Sequence, residues 1–146
     1  MTIAVDFDGT IVTHEYPNIG KPIPFAIETL KKLQIEGHHQ LILWTCREGE
    51  LLQEAIDYCA SKGLEFYSVN SNFPEENADI VRARKLEAEL FIDDRNLGGI
   101  PDWGTIYSMV AHKLSFEDYY LNEERMANSG HSHKNKKGGF FSMFKK

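Results

Sequence analysis

The run Asp6-Phe7-Asp8-Gly9-Thr10 follows directly on the short uncharged stretch Thr2-Ile3-Ala4-Val5. Alternate residues of an extended chain share a face, so Asp6 and Asp8 can point the same way, and Gly9 lets the backbone turn sharply behind them. Two aligned carboxylates repel each other unless a cation or a proton lies between them. A second acidic pair, Asp93-Asp94, closes the apolar run from Glu89 to Ile92, and Thr45 closes another from Gln40 to Trp44, with Lys85 upstream of the second pair. Three or four carboxylates, one hydroxyl and a lysine make a hard-oxygen site, which suits Mg²⁺ with a substrate phosphate completing its shell. Taken singly, Asp-x-Asp-Gly also fits an ordinary strand-end turn and Thr45 a plain helix N-cap.

The elements that must hold these residues follow from periodicity. Thr2 to Val5 reads as a strand buried on both faces, and Ile11 to Pro22 as a loop or small flap beside its end. His14 lies in that loop and is left as a solvated group. Pro24 is placed as the first residue of a helix whose stripe is Ile23, Ile27, Leu30 and Leu33, ending at Gly37. A strand from Gln40 to Trp44 leads at once into a helix carrying Leu51, Leu52, Ala55, Ile56 and Cys59, which puts Thr45 just before a helix N-terminus, a ready anion site. Glu65 to Val69 is the third strand, Ala78 to Leu86 a short helix with Arg82, Arg84 and Lys85, and Glu89 to Ile92 the fourth strand. Helices follow from Asp102 to Lys113 and from Ser115, with Asp118 as a capping-box-like acid. This alternation predicts an α/β, Rossmann-like three-layer sandwich, its sheet mostly parallel and covered on both faces. In such sheets ligands bind beyond the carboxyl ends of the strands, near the point where strand order reverses. Asp6, Asp8, Thr45, Asp93 and Asp94 all lie at those ends, a choice that structural turns have no need to repeat.

The ordered set resembles the haloacid dehalogenase superfamily of phosphohydrolases. Asp6 to Thr10 match its first motif, Thr45 its second, and Asp93-Asp94 its fourth; the third, an upstream cation, falls on Lys85, with Arg84 or Arg82 as competitors. The resemblance covers residues 1 to about 113 and implies Mg²⁺-dependent hydrolysis of a phosphate monoester through an aspartyl phosphate on Asp6. It further implies that Asp8 protonates the leaving oxygen and then activates water, with a pKa raised by its acidic neighbours. Mg²⁺ would bind Asp6, the Asp8 carbonyl and Asp93 or Asp94, while Thr45 and Lys85 would hold phosphoryl oxygens. Arg47 and Arg95 could add substrate contacts, but exposed arginines are usually just solvated, and neither is assigned to the site. The 13 residues from Ile11 to Ile23 and the filled stretch from Cys46 to Arg84 leave no room for a cap domain. A capless site accepts the end of a large phosphorylated substrate or is closed by a second subunit, so a homo-oligomer is one expectation. The length and the Asp93-Asp94-Arg95-Asn96 run are similar to small bacterial and phage members.

Two other readings share these features. A signalling receiver domain would need its phosphorylated acid at the end of the third strand, where Val69-Asn70 stand; an idle relative serving as a phosphate-binding module would have no need of Asp6, Asp8, Thr45 and Asp93 together. The substrate is left as a small molecule, a nucleotide or a nucleic-acid end.

With 146 residues, 42% hydrophobic and 26% charged, the chain reads as one globular domain, 1–127, followed by a tail, 128–146. No apolar run approaches a membrane span and no secretory signal begins the chain, so a cytoplasmic protein is expected, not an integral membrane one. Cys46 and Cys59 are expected as reduced thiols in or near the core. Residues 1–129 hold all 22 acids against 11 Lys and Arg, whereas 130–146 carry five Lys and no acid. The acidic body argues against broad nucleic-acid binding. The basic tail, with Phe140-Phe141-Ser142-Met143-Phe144, is expected either to rest loosely on the body or to dock on a protein partner or an anionic membrane surface.

Overall fold

The computed structural model describes residues 1–76 and 85–129. Four strands, β1 (Thr2–Val5), β2 (Gln40–Leu43), β3 (Ser68–Val69) and β4 (Leu90–Ile92), form one sheet in the order β3-β2-β1-β4, every pair parallel. The fold is Rossmann-like: helices α1 (Ala26–Ile35), α2 (Gly49–Ser61) and α3 (Trp103–His112) accompany the sheet. Strand order grows outward from β1 through β2 to β3 and then jumps back across β1 to β4, so the reversal point lies between β1 and β4. Among the described residues there is no cap domain.

The main core lies on one face. Ile3, Val5, Leu41, Leu43 and Ile92 pack there against Ala26, Ile27, Leu30 and Leu33 of α1, Ala55 and Cys59 of α2, and Trp103, Ile106 and Val110 of α3. Ala4 and Ile42 point to the other face and meet Leu86, with Trp44, Ala88 and Phe91 beside them. Strand residues of opposite parity thus feed opposite layers, as the uninterrupted apolar sequence of β1 requires.

Several boundaries differ from expectation. Helix α1 starts at Ala26 and not at Pro24, because Phe25 takes a left-handed backbone (φ 66°) that breaks continuity with the proline. β3 spans only Ser68–Val69, against Ile42 and Leu43; just upstream the Tyr67 N–H donates to the Leu41 carbonyl at 2.8 Å, and further back the Glu65 carbonyl accepts a hydrogen bond from the Gln34 side chain. The α2 N-cap is Glu48, three residues beyond Thr45. Most of the expected helix from Ala78 to Leu86, Arg82 and Arg84 included, lies outside the described residues.

Met1–His112 form one compact unit and a second begins at Lys113. Within the second, α4 (Phe116–Ser129) opens on the expected capping box: the Ser115 hydroxyl accepts from the Asp118 N–H at 3.1 Å and donates to the Asp118 carboxylate at 2.7 Å. The basic and aromatic tail lies outside the described residues from 130 on. Among the described residues no helix is long and apolar enough to cross a membrane.

Candidate functional site

The sheet ladder carries β1 one residue further, since the Asp6 N–H donates to the Ile92 carbonyl at 3.0 Å. Asp6 is therefore held beside the end of β4, and one oxygen from each of Asp6, Asp93 and Asp94 lies within 4.8 Å of the others. Beyond Asp6 the chain folds back on itself: the Phe7 carbonyl accepts from the N–H groups of Thr10, Ile11 and Val12, and the Gly9 N–H donates to Val12 at 2.7 Å. Gly9 sits at φ +88°, and a Cβ on it would come within 2.2 Å of Asp94 Oδ2. The fully buried Thr10 accepts the Asp94 N–H on its hydroxyl at 3.1 Å. Gly9 and Thr10 thus seat the second acidic pair against the first.

The three acids are an unfavourable assembly on their own. Burial, reinforced by Asp93, Asp94 and Asp8, pushes the Asp6 carboxyl up from its ordinary 3.8 to about 7, against the opposing pull of the Phe7 backbone N–H. Asp93 has one oxygen engaged by the Arg95 N–H at 2.8 Å. Asp94 Oδ1 is buried with no hydrogen-bond partner, a position that costs free energy unless something positive meets it. A hard divalent cation coordinated by oxygen fits this set: three carboxylates within one coordination sphere, one of them with a buried orphan oxygen.

Asp6, Asp8, Thr45 and Asp93 line a cavity of about 370 Å³ together with His14, Tyr16, Trp44, Cys46, Arg47 and Arg95. Two larger concavities, of about 470 and 730 Å³, run along α1 and gather no such cluster of acids, so the chemistry and not the size marks the site. Thr45 is placed here by its backbone N–H, which donates to the Asn70 side chain at 2.9 Å, and its hydroxyl accepts the Arg47 N–H at 3.2 Å. It does not cap α2, because three residues, Cys46 to Glu48, intervene before the helix begins at Gly49. Lys85 lies with its ammonium 5.7 Å from the centre of the Phe91 ring; the cations among the residues lining the cavity are Arg47 and Arg95.

Arg47 overturns the expectation of a solvated arginine. It is fully buried, and its Nε and Nη2 donate to the two Asp8 oxygens at 2.7 Å each, which raises the guanidinium pKa through that hydrogen-bonded pair. The signal available in the sequence was a cation placed directly after a strand end in a site overloaded with acid. Cys46 also departs from expectation: lying past the end of β2 it is exposed at the cavity, while Cys59 is buried and its thiol is pushed up to about 12 by desolvation. His14 and Tyr16, from the flap, line the cavity as well. His14 is thus at the site and not the solvated loop group expected, whereas an aromatic loop residue such as Tyr16 carries no sequence pattern that would have singled it out.

A parallel α/β sheet with an acid cluster at its strand-order reversal defines the class. The sequence matches no protein-family model, and no curated protein is similar to it. A solved structure, that of a conserved protein coded by a locus of Bacteroides thetaiotaomicron, is 63% identical, covers 82% of this chain and 97% of that one, and superposes with a TM-score of 0.76. The chain belongs to the same family as that conserved protein.

Proposed function

We propose that the chain is a Mg²⁺-dependent phosphohydrolase of the haloacid dehalogenase type, cleaving a phosphate monoester by way of an aspartyl phosphate on Asp6. The observation that carries this reading is the convergence of Asp6, Asp93 and Asp94 within 4.8 Å, with one Asp94 oxygen buried and unpartnered, beside a cavity that also holds Asp8 and Thr45. Asp6, Asp93 and Asp94 would hold Mg²⁺, which when bound offsets charge between the carboxylates and an anionic phosphate.

Asp6 then acts as the nucleophile. Its carboxylate attacks phosphorus, the ester oxygen leaves with the electron pair of the broken P–O bond, and water later attacks the phosphorus of the aspartyl phosphate to return free Asp6 and inorganic phosphate. Asp8, two residues on and lining the same cavity, delivers the proton to the leaving oxygen and takes one from the water. In this reading Thr45 and Arg95, which both line the cavity, meet phosphoryl oxygens. The resemblance gives that task to Lys85, but its ammonium lies 5.7 Å from the centre of the Phe91 ring and Lys85 is not among the cavity residues, which favours Arg95 among the described residues.

The test is a panel of phosphate esters with and without Mg²⁺, run on wild type and Asp6→Asn. Turnover should require the metal, and Asp6→Asn should lower it by at least about 10³-fold, the scale of losing a group that acts in the transition state. Wild-type turnover in Asp6→Asn removes the mechanism.

A further inference from the structure

We propose that Arg47 is a positioning residue that couples the flap, residues 13–21, to Asp8, so that seating the flap and aligning Asp8 are a single event. The catalytic consequence rests on the phosphohydrolase reading; the coupling itself rests on geometry alone.

A fully buried guanidinium is costly unless its donors are all met. Arg47 draws its acceptors from two separate places. Nε and Nη2 bind the Asp8 carboxylate at 2.7 Å each, while Nη1 binds the Pro17 carbonyl at 2.9 Å and Nη2 also binds the Asn18 carbonyl at 2.8 Å. Phe7 and Tyr16 pack on the guanidinium, their ring centres 5.1 and 5.3 Å from its carbon. The base of the flap is secured independently: Thr13 N–H donates to the Lys21 carbonyl at 2.7 Å, and Lys21 N–H to the Thr13 hydroxyl at 2.8 Å. The tip, Tyr16 to Asn18, is held by Arg47.

The fork is planar and rigid, so its acceptors cannot move separately. Lifting the flap tip strands two donors, and turning Asp8 away strands two others, each at the cost of an unmet buried charge. His14 and Tyr16 of the same flap face the cavity, where the leaving group of a phosphate ester would lie. A leaving group that seats the flap thereby fixes Asp8, and one that displaces the flap disorders it. Arg47 is in this way a determinant of which ester is cleaved, acting through Asp8 and the flap.

Four variants, Arg47→Gln, Arg47→Lys, Asp8→Asn and Asp8→Asn with Arg47→Gln, test this on the full chain. The first readout is hydrogen exchange of the amides of residues 13–21, which needs no substrate. Both Arg47→Gln and Asp8→Asn should speed exchange there by about tenfold or more, and the double variant should add no more than about twofold to either. Arg47→Lys keeps the charge and the stem but cannot span four acceptors in one plane; it should speed flap exchange like Arg47→Gln, and it stands in for that variant if Arg47→Gln does not fold. The second readout is turnover. Arg47→Gln should lower kcat about 100-fold on an alkyl phosphate with KM within about threefold, and the double variant should match Asp8→Asn alone, because residues acting as one unit are not additive. Unchanged flap exchange in Asp8→Asn overturns the coupling. Losses of kcat that multiply in the double variant overturn the catalytic consequence. If wild type cleaves no phosphate ester the phosphohydrolase reading falls, and the exchange experiment still decides the coupling.

Discussion

Gly9 and Asp94 interlock: the space a Gly9 side chain would need is taken by the Asp94 carboxylate, 2.2 Å from where a Cβ would stand. The turn that ends the first motif and the acid that ends β4 are therefore shaped to each other. Gly9→Ala meets two obstacles at once, the φ of +88° and the carboxylate. The backbone alone costs about 1–3 kcal/mol for a non-glycine residue, and relief comes only by pushing Asp94 out of the acid cluster. Mg²⁺ affinity measured by calorimetry should fall by at least about tenfold. A variant that binds Mg²⁺ like wild type would show that Asp94 does not belong to the metal shell.

Thr10→Val keeps the shape of a fully buried side chain and removes the oxygen that accepts the Asp94 N–H. An unmet buried donor costs about 1–3 kcal/mol. For a chain of this size the melting temperature should drop by roughly 3–10 °C. An unchanged melting temperature would mean that water satisfies the Asp94 N–H and that Thr10 does not brace β4.

The raised Asp6 carboxyl sets a pH dependence. Its ordinary 3.8 becomes about 7 in the folded chain, so between those values the folded state holds a proton that the unfolded state has released. The contribution of Asp6 to stability therefore falls as pH rises through that window and levels off above about 7. A divalent cation must displace this proton, so its binding weakens in acid. Differential scanning fluorimetry should show a larger Mg²⁺-induced rise in melting temperature at pH 8 than at pH 5.5, with the metal-free chain less favoured by Asp6 at the higher pH. Equal shifts at both values would place the ion away from Asp6.

The two cysteines differ in environment. Cys46 is exposed at the cavity, whereas Cys59 is buried with its thiol pushed up to about 12. A thiolate-selective reagent should modify one thiol per native chain, at Cys46, and two after unfolding. Modification of both at equal rates in the native state would contradict the packing of Cys59 between α2 and the sheet.

Strand β1 was legible because it has one possible partner environment: four uncharged residues with no polar face must be buried on both sides. The Ser115 cap was legible for a similar reason, since its hydroxyl and Asp118 satisfy each other locally. What escaped depends on distant partners. Phe25 delays α1 through a left-handed conformation that no propensity suggests, and β3 spans only Ser68–Val69, downstream of a bond between Gln34 and Glu65, 31 positions apart. Of the candidate site, the acids at strand ends could be read from spacing, and Asp6, Asp93 and Asp94 do converge. The pairing of Arg47 with Asp8 left only a faint mark, a cation directly after a strand end among acids, because its acceptors on Asp8 and the flap lie 29 to 39 positions away.

The acid cluster draws on two distant parts of the sequence. Asp6 follows the first strand, but Asp93 and Asp94 follow the last, which reaches the side of β1 only after the chain has crossed from β3 at the far edge. A nascent chain emerging with residues 1–76 already has β1, β2 and β3 in hand, yet it carries one carboxylate of the three. In the metal-binding reading proposed above, cation affinity arrives late in synthesis and reports a finished sheet: the ion would reward β4 for taking its place beside β1 and would offer nothing to chains that stop short of it.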